Sequence, residues 1–244
     1  MKVLAWDIEN TPLVAYTWTL WPNSIPITNI IKQQEIMSFS ARWVDKRTNI
    51  FRSTHHDGKE KMLQDLWDLL DEADALLSWN GAGFDTKHAN REFLLAGMTP
   101  PSPVKEIDLM RVAKKRFKFS SNKLDNVAKE LGIGEKTKHT GMQLWIDCLA
   151  GDEKAWRLMK RYNKQDVDLL IDIYNHFLPW IDNHPTDVQH GIVCPRPTCA
   201  SPRIQLRGTA TTQAGVYQRF QCLDCGGWGK FAKRVAPIGE TRPL

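Results

Sequence analysis

The feature that most constrains this chain lies at its start, where the apolar run Val3-Leu4-Ala5-Trp6 ends in Asp7-Ile8-Glu9. In a strand, residues i and i+2 point to the same face. Asp7 and Glu9 are therefore expected to project together from the end of a buried strand. Two carboxylates held side by side repel, and each raises the other's pKa unless a cation lies between them. A divalent metal with hard oxygen ligands is the simplest way to keep both ionised. The plain alternative is a strand that ends in solvated acids, and residues farther along the chain decide between the two.

Apolar spacing lays out the remaining elements. Residues 2–8 read as the first strand. Residues 10–34 are interrupted by Pro12, Pro22 and Pro26 and form either a surface excursion or a loop that meets substrate through Trp18 and Trp21. Residues 36–44 and 49–54 read as a hairpin around Asp45-Lys46-Arg47-Thr48. Leu63, Leu66, Trp67 and Leu70 recur at helical spacing and predict an amphipathic helix over residues 59–72. The apolar run at 75–79 suits a buried strand. It is followed by the turn Asn80-Gly81-Ala82-Gly83 and a helix from Asp85 to residue 96, stopped by Gly97 and the Pro100-Pro101 pair. A short strand at 104–107 precedes helices at 108–117, 122–131, 142–149 and 152–178, the last expected to break or bend on the way. This order predicts an α/β fold, a mixed sheet flanked by helices. The glycine-rich turn of a dinucleotide fold is missing after the first strand, and acids occupy its place.

Two further stretches carry chemistry. Asp85 follows a buried strand and opens a helix, where Asp is also a favoured N-cap worth about 1 kcal/mol. In Tyr162-Asn163-Lys164-Gln165-Asp166, the tyrosine and the final aspartate lie four residues apart, on one face of a helix. In order along the chain, Asp-x-Glu, Asn-Gly-x-x-Phe-Asp and Tyr-x-x-x-Asp resemble the three exonuclease motifs of the DnaQ-like 3′→5′ exonucleases. The tyrosine matches the DEDDy branch, which includes the proofreading domains of family-B DNA polymerases. The resemblance covers about residues 1–180 and implies a ribonuclease H-like fold, with an exonuclease domain over 1–182.

That resemblance also implies roles. Asp7, Glu9, Asp85 and Asp166 would hold two divalent cations, Mg²⁺ or Mn²⁺, with Asp7 bridging both. Tyr162 would orient the water that attacks the terminal phosphodiester. Two ions about 4 Å apart stabilise both the attacking and the leaving oxygen of an in-line displacement. A histidine in that role would act as a base near neutral pH. Tyrosine, with a reference pKa of about 10, instead positions water by hydrogen bonding. Asn80 and Phe84, inside the second motif, are candidates to touch the terminal nucleotide. Lys136, Lys138 and His139 form a loop that either meets phosphates or is simply solvated. Family-B polymerases continue into a polymerase domain and this chain does not, which leads us to expect a stand-alone nuclease or a subunit working beside a replication or repair protein.

The C-terminal stretch has a different character. Cys194 and Cys199 form C-x₄-C, and after 22 residues Cys222 and Cys225 form C-x₂-C. Four thiolates close a tetrahedral zinc site with no open position, so one structural Zn²⁺ is expected. His190 is a spare donor nearby, and the fifth cysteine, Cys148, reads as an inert helical residue. Residues 203–207 and 216–221 read as a hairpin between the two cysteine pairs. The whole resembles a zinc ribbon over 190–236, followed by a tail at 237–244. From residue 188 onward, eight Lys and Arg face two Asp and Glu, whereas the preceding 187 residues are nearly neutral. Arg203, Arg207, Arg219 and Lys230 stand among Tyr217, Phe220, Trp228 and Phe231. Basic groups attract phosphates and aromatics stack on single-stranded bases. The aromatics equally suit the ribbon's own small core, and a ribbon docked on a protein partner is the other open reading.

Composition narrows the function classes. No segment approaches the roughly 20 apolar residues that span a bilayer. Met1-Lys2 leads straight into the first strand without a signal-peptide pattern, so a cytoplasmic protein is expected, with no membrane partner. The odd cysteine count argues against a disulfide framework. The leading expectation is a two-metal 3′→5′ exonuclease acting on DNA, single-stranded or at 3′ ends. The alternatives are an exoribonuclease with the same site, since nothing in the sequence reads a 2′-hydroxyl, and a nucleic-acid-binding adaptor with a vestigial nuclease site.

Overall fold

The structure, a computed structural model, describes residues 1–135, 137–182, 184–185, 192–196 and 198–236. Lys136, His190 and the tail at 237–244, all named in the sequence analysis, lie outside these. The chain forms two compact units, Lys2–Ile173 and, together with Met1, Tyr174–Leu244.

The first unit is built on a five-stranded sheet. Its strands are β1 (Val3–Asn10), β4 (Ile36–Trp43), β5 (Ile50–Ser53), β6 (Ala75–Ser78) and β7 (Lys105–Asp108), in the spatial order β5-β4-β1-β6-β7. The hairpin strands β4 and β5 run antiparallel beside β1, whereas β6 and β7 continue from β1 in parallel. Between β1 and β4 a small ribbon, β2 (Val14–Ala15) and β3 (Ile30–Lys32), gives residues 10–34 some regular structure that the prolines had hidden. The helices are α1 (Lys59–Glu72), α2 (Asp85–Leu95), α3 (Leu109–Arg116), α4 (Leu124–Glu130), α5 (Met142–Leu149) and α6 (Glu153–Phe177). The expected break in α6 is absent. Its 25 residues contain no Gly or Pro, so nothing interrupts the hydrogen-bond ladder.

Period-two alternation sends one face of β1 into the first of two cores. Leu4, Trp6 and Ile8 pack with Met62, Leu63, Leu66 and Leu70 of α1 and with Ala89 and Phe93 of α2. A second cluster joins Met37 and Phe51 to Leu144 and Cys148 of α5 and to Trp156, Met159 and Tyr162 of α6. Asp7 and Glu9, out of phase with Trp6 and Ile8, thereby turn toward the α6 side of the sheet.

Within the second unit, β8 (Ile204–Thr212), β9 (Gly215–Cys222) and β10 (Trp228–Ala236) form an antiparallel sheet in the order β10-β9-β8. The β8–β9 hairpin was expected from sequence, but β10 was not. The four cysteines of this unit cluster at one place and are compatible with a small zinc ribbon. Among the described residues, no helix is long and apolar enough to cross a membrane.

A candidate carboxylate metal centre

The site begins where β1 outruns its parallel neighbour. Pairing between β1 and β6 stops at Ala5 opposite Leu77, and β6 ends at Ser78, while β1 continues to Asn10. Beyond that point, β1 presents Asp7 and Glu9 at the carboxyl ends of the parallel strands, the usual location of ligand crevices in such sheets. On the same side, α6 brings up Asp166. One carboxylate oxygen from each of Asp7, Glu9 and Asp166 lies within 4.8 Å of the other two. Asp166 is 3% exposed, so its carboxylate has been taken out of water into an acidic cluster. Such an arrangement is costly without a cation and favourable with one.

Asp85 stands outside that close group but touches the same strand. With β6 ended, the Ile8 N–H has no strand partner on that side. The Asp85 Oδ1 accepts from it at 3.2 Å, satisfying a buried backbone donor. This differs from the expected capping role. Phe84 occupies the N-cap position of α2, and no side-chain cap bond is made there. Burial pushes the Asp85 carboxyl up to about 6, with the charges of Asp108 and Glu106 adding to the effect, against the Ile8 hydrogen bond that lowers it. A divalent cation beside it would favour the ionised form.

The turn that delivers Asp85 is tightly specified. Asn80 adopts a left-handed φ of 70°, and its N–H donates to Asp108 Oδ1 at 2.9 Å. Asp108 Oδ1 also accepts from Met110 N–H at 3.0 Å, capping α3. The Gly81 N–H donates to Ser78 Oγ at 3.1 Å, and a Cβ at Gly81 would lie 2.2 Å from that oxygen. Asn80 thus shapes the turn. Phe84 is partly exposed, with its ring 4.5 Å from that of His88.

Two contributors to the site were not assigned these roles from sequence. Asn163, fully buried on α6, donates from Nδ2 to Asp7 Oδ2 at 2.6 Å. It lies inside the tyrosine motif, but its partner is 156 residues away, so spacing gives no signal. The second is His139, read from sequence as a phosphate contact or a solvated loop residue. Its ring lies edge-on to Tyr162 at 4.9 Å, and Trp145 lies 6.0 Å from Tyr162. These rings fix the orientation of the tyrosine, which is 8% exposed one turn before Asp166.

In the second unit, the sulfurs of Cys194 and Cys225 are 3.7 Å apart, as are those of Cys199 and Cys222, and all four lie within 4.8 Å of one another. Zn–S bonds of about 2.3 Å give a tetrahedron with edges of about 3.8 Å, so the cysteines fit zinc. Burial holds the Cys225 thiol up at about 12. At Cys222 burial is outweighed by the N–H groups of Cys225 and Asp224, bringing the thiol down to about 7. The carboxylates fit Mg²⁺ or Mn²⁺ by their hard oxygen donors. Of the basic residues singled out, Arg203 pairs with Asp224 at 2.6 Å, Arg219 lies over Trp228, and Lys230 lies over Tyr217. The Arg207 carbonyl accepts from Arg219 Nε at 3.0 Å.

Fold and site together define a protein with an acidic, metal-competent crevice at the open end of a ribonuclease H-like sheet. A family model described as RNase_H superfamily matches residues 29–178, more than half of the chain, and the chain belongs to that superfamily, whose members are typically nucleases. The match takes in Asp85, Tyr162 and Asp166 and begins after Asp7 and Glu9. Among solved structures, the family B DNA polymerase from the hyperthermophilic archaeon Pyrobaculum calidifontis is similar over 73% of this chain, with a TM-score of 0.57 and 16% identity. That likeness is one of fold, and it spans 24% of the polymerase. No curated protein sequence matches the chain.

Proposed function

We propose that this chain is a 3′→5′ exonuclease that hydrolyses terminal phosphodiesters of DNA, single-stranded or at 3′ ends, using two Mg²⁺ or Mn²⁺ ions. The observation that carries this reading is the convergence of Asp7, Glu9 and Asp166 within 4.8 Å, with Tyr162 one turn before Asp166 on the same helix. Asp7, Glu9 and Asp166 would hold the cations, joined by Asp85 from the α2 side. When bound, the cations supply charge stabilisation for the attacking and leaving oxygens. Asn163 holds the Asp7 carboxylate in one orientation. The Tyr162 hydroxyl hydrogen-bonds the attacking water and aims it at the terminal phosphorus, while His139 and Trp145 keep its ring in place. Asn80 and Phe84 border the terminal nucleotide.

In this reading residues 1–182 are the exonuclease domain. Residues 190–236 form a ribbon on one structural Zn²⁺, held by Cys194, Cys199, Cys222 and Cys225. Arg203, Arg207, Arg219 and Lys230 give the ribbon a basic surface for the nucleic-acid strand. The polymerase likeness supports a replication or repair setting with a protein partner, and the reading includes a cytoplasmic location.

The test is degradation of 5′-labelled single-stranded DNA with Mg²⁺ or Mn²⁺, wild type against Asp7→Ala, with RNA of the same sequence alongside. A ladder shortening from the 3′ end, abolished by the substitution and by chelator, is the expected result. Faster loss of RNA would convert the assignment to an exoribonuclease. Binding of both substrates without cleavage of either would leave an adaptor and overturn the proposal.

A further inference from the structure

Outside the carboxylate crevice, a second group of metal-competent side chains converges on the first turn of α6. His55 and His56 lie in the connection between β5 and α1, and Glu153 is the first residue of α6. His55 Nε2 is 2.8 Å from Glu153 Oε1, and His56 Nε2 is 3.5 Å from Glu153 Oε2. One ligand atom from each of the three lies within 4.8 Å of the others. Zinc–nitrogen and zinc–oxygen bonds of about 2.0–2.1 Å place neighbouring ligands of a tetrahedron about 3.3 Å apart. The two observed spacings, to the two oxygens of Glu153, lie on either side of that value, and closing on an ion requires the three exposed side chains to adjust within their 4.8 Å cluster.

Both imidazoles are oriented by groups that are themselves fixed. The His55 ring stacks on Trp156 with centroids 5.3 Å apart and planes 10° from parallel. Trp156 is 2% exposed, and its Nε1 donates to the Cys148 carbonyl at 2.8 Å. His56 Nδ1 is 2.9 Å from the Oγ of Ser53, a fully buried side chain that also accepts the His56 backbone N–H. With Nδ1 protonated and donating to Ser53, Nε2 keeps its lone pair and faces Glu153. A histidine whose other nitrogen is tied down in this way is the usual form of a metal ligand.

We propose that His55, His56 and Glu153 form a Zn²⁺ site, separate from the carboxylate crevice and the cysteine cluster, with water in the remaining position. Two imidazoles and a carboxylate match the preference of zinc over Mg²⁺, which takes oxygen ligands. Because Glu153 opens the helix that carries Tyr162, Asn163 and Asp166, an ion here ties the start of that helix to the β5 edge of the sheet.

The test uses full-length protein with its cysteine cluster already loaded, in millimolar Mg²⁺, equilibrated by dialysis against low-micromolar ZnCl₂. Zinc per chain is then counted for wild type, the His55→Ala/His56→Ala double variant and Glu153→Gln. The double variant is expected to hold one zinc per chain fewer than wild type, and Glu153→Gln to bind this zinc more weakly. In wild type labelled with ¹⁵N-imidazole, zinc is expected to move the His55 and His56 Nε2 resonances. All three side chains are at least partly exposed, so the variants should melt like wild type when no zinc is added. If the double variant nevertheless fails to fold, the Glu153→Gln comparison and the resonances carry the test. Equal zinc in wild type and the folded variants, or unmoved His55 and His56 resonances, overturns the site.

Discussion

Asn163 shows how a single side chain sets the orientation of a proposed metal ligand. Its Nδ2 donates to Asp7 Oδ2 at 2.6 Å from a fully buried position, so it selects one orientation of the Asp7 carboxylate before any cation arrives. Polar groups that orient metal ligands typically contribute about 10–100-fold in metal affinity or activity. Asn163→Ala should therefore lower nuclease activity by about that factor and raise the Mg²⁺ concentration needed for half-maximal rate. A Mg²⁺ titration of the initial rate, with circular dichroism to verify folding, checks this. An unchanged Mg²⁺ requirement would show that Asp7 needs no such support. The contrast with Asp85 is instructive. Both residues satisfy partners on β1, but Asp85 serves the backbone N–H of Ile8 and Asn163 serves a side chain. Neither pairing is visible in a linear motif.

At the scale of elements, the crevice exists because β6 stops at Ser78 and the chain turns sharply there. Gly81 is necessary to that turn by crowding alone, since its backbone is not in the left-handed region. An added Cβ would lie 2.2 Å from Ser78 Oγ and 2.5 Å from Ser78 Cβ, and Ser78 is buried in the strand end. Overpacking of this kind costs about 1–3 kcal/mol. Gly81→Ala should lower the melting temperature by several degrees and, by displacing α2 and its Asp85, reduce activity more than the stability loss accounts for. Thermal melts paired with rates measured well below the transition separate the two effects. Most of these elements were legible in sequence because the physics is local. A buried strand ending in Asp-x-Glu follows from period two, and the helices follow from their 3.6-residue spacing. α6 was expected to break or bend, yet no Gly or Pro supplies a cause. β10 escaped notice because its residues are mostly exposed, so little apolar alternation marks it. Its place comes instead from pairing with β9. The short ribbon of β2 and β3 was likewise masked by prolines around it.

At the scale of the whole molecule, the two units draw on different sources of stability. Lys2–Ile173 contains two large hydrophobic clusters of its own, one with Trp6, Phe39 and Phe93 and one with Phe51 and Trp156. The described strands of the other unit bury few side chains, chiefly Tyr217, Phe220 and Cys222. A lobe so poor in core needs another contribution, and structural zinc supplies about 10–16 kcal/mol of apparent binding energy in zinc-finger peptides. Stripping the proposed zinc with a thiol-directed reagent and chelator should therefore unfold β8, β9 and β10 while the five-stranded sheet stays formed. Hydrogen exchange read by mass spectrometry would show this as loss of protection across 204–236, with β1, β4 and β6 still protected after Mg²⁺ is restored. The nuclease reading adds a kinetic consequence. If the basic ribbon grips the strand, the stripped protein should show a raised KM for single-stranded DNA with kcat largely kept, because the groups at the reacting phosphate are untouched. A fall in kcat with unchanged KM would place the ribbon's contribution in the chemistry rather than in substrate capture. Simultaneous loss of protection in both units would show instead that the sheet depends on the ribbon for its own stability.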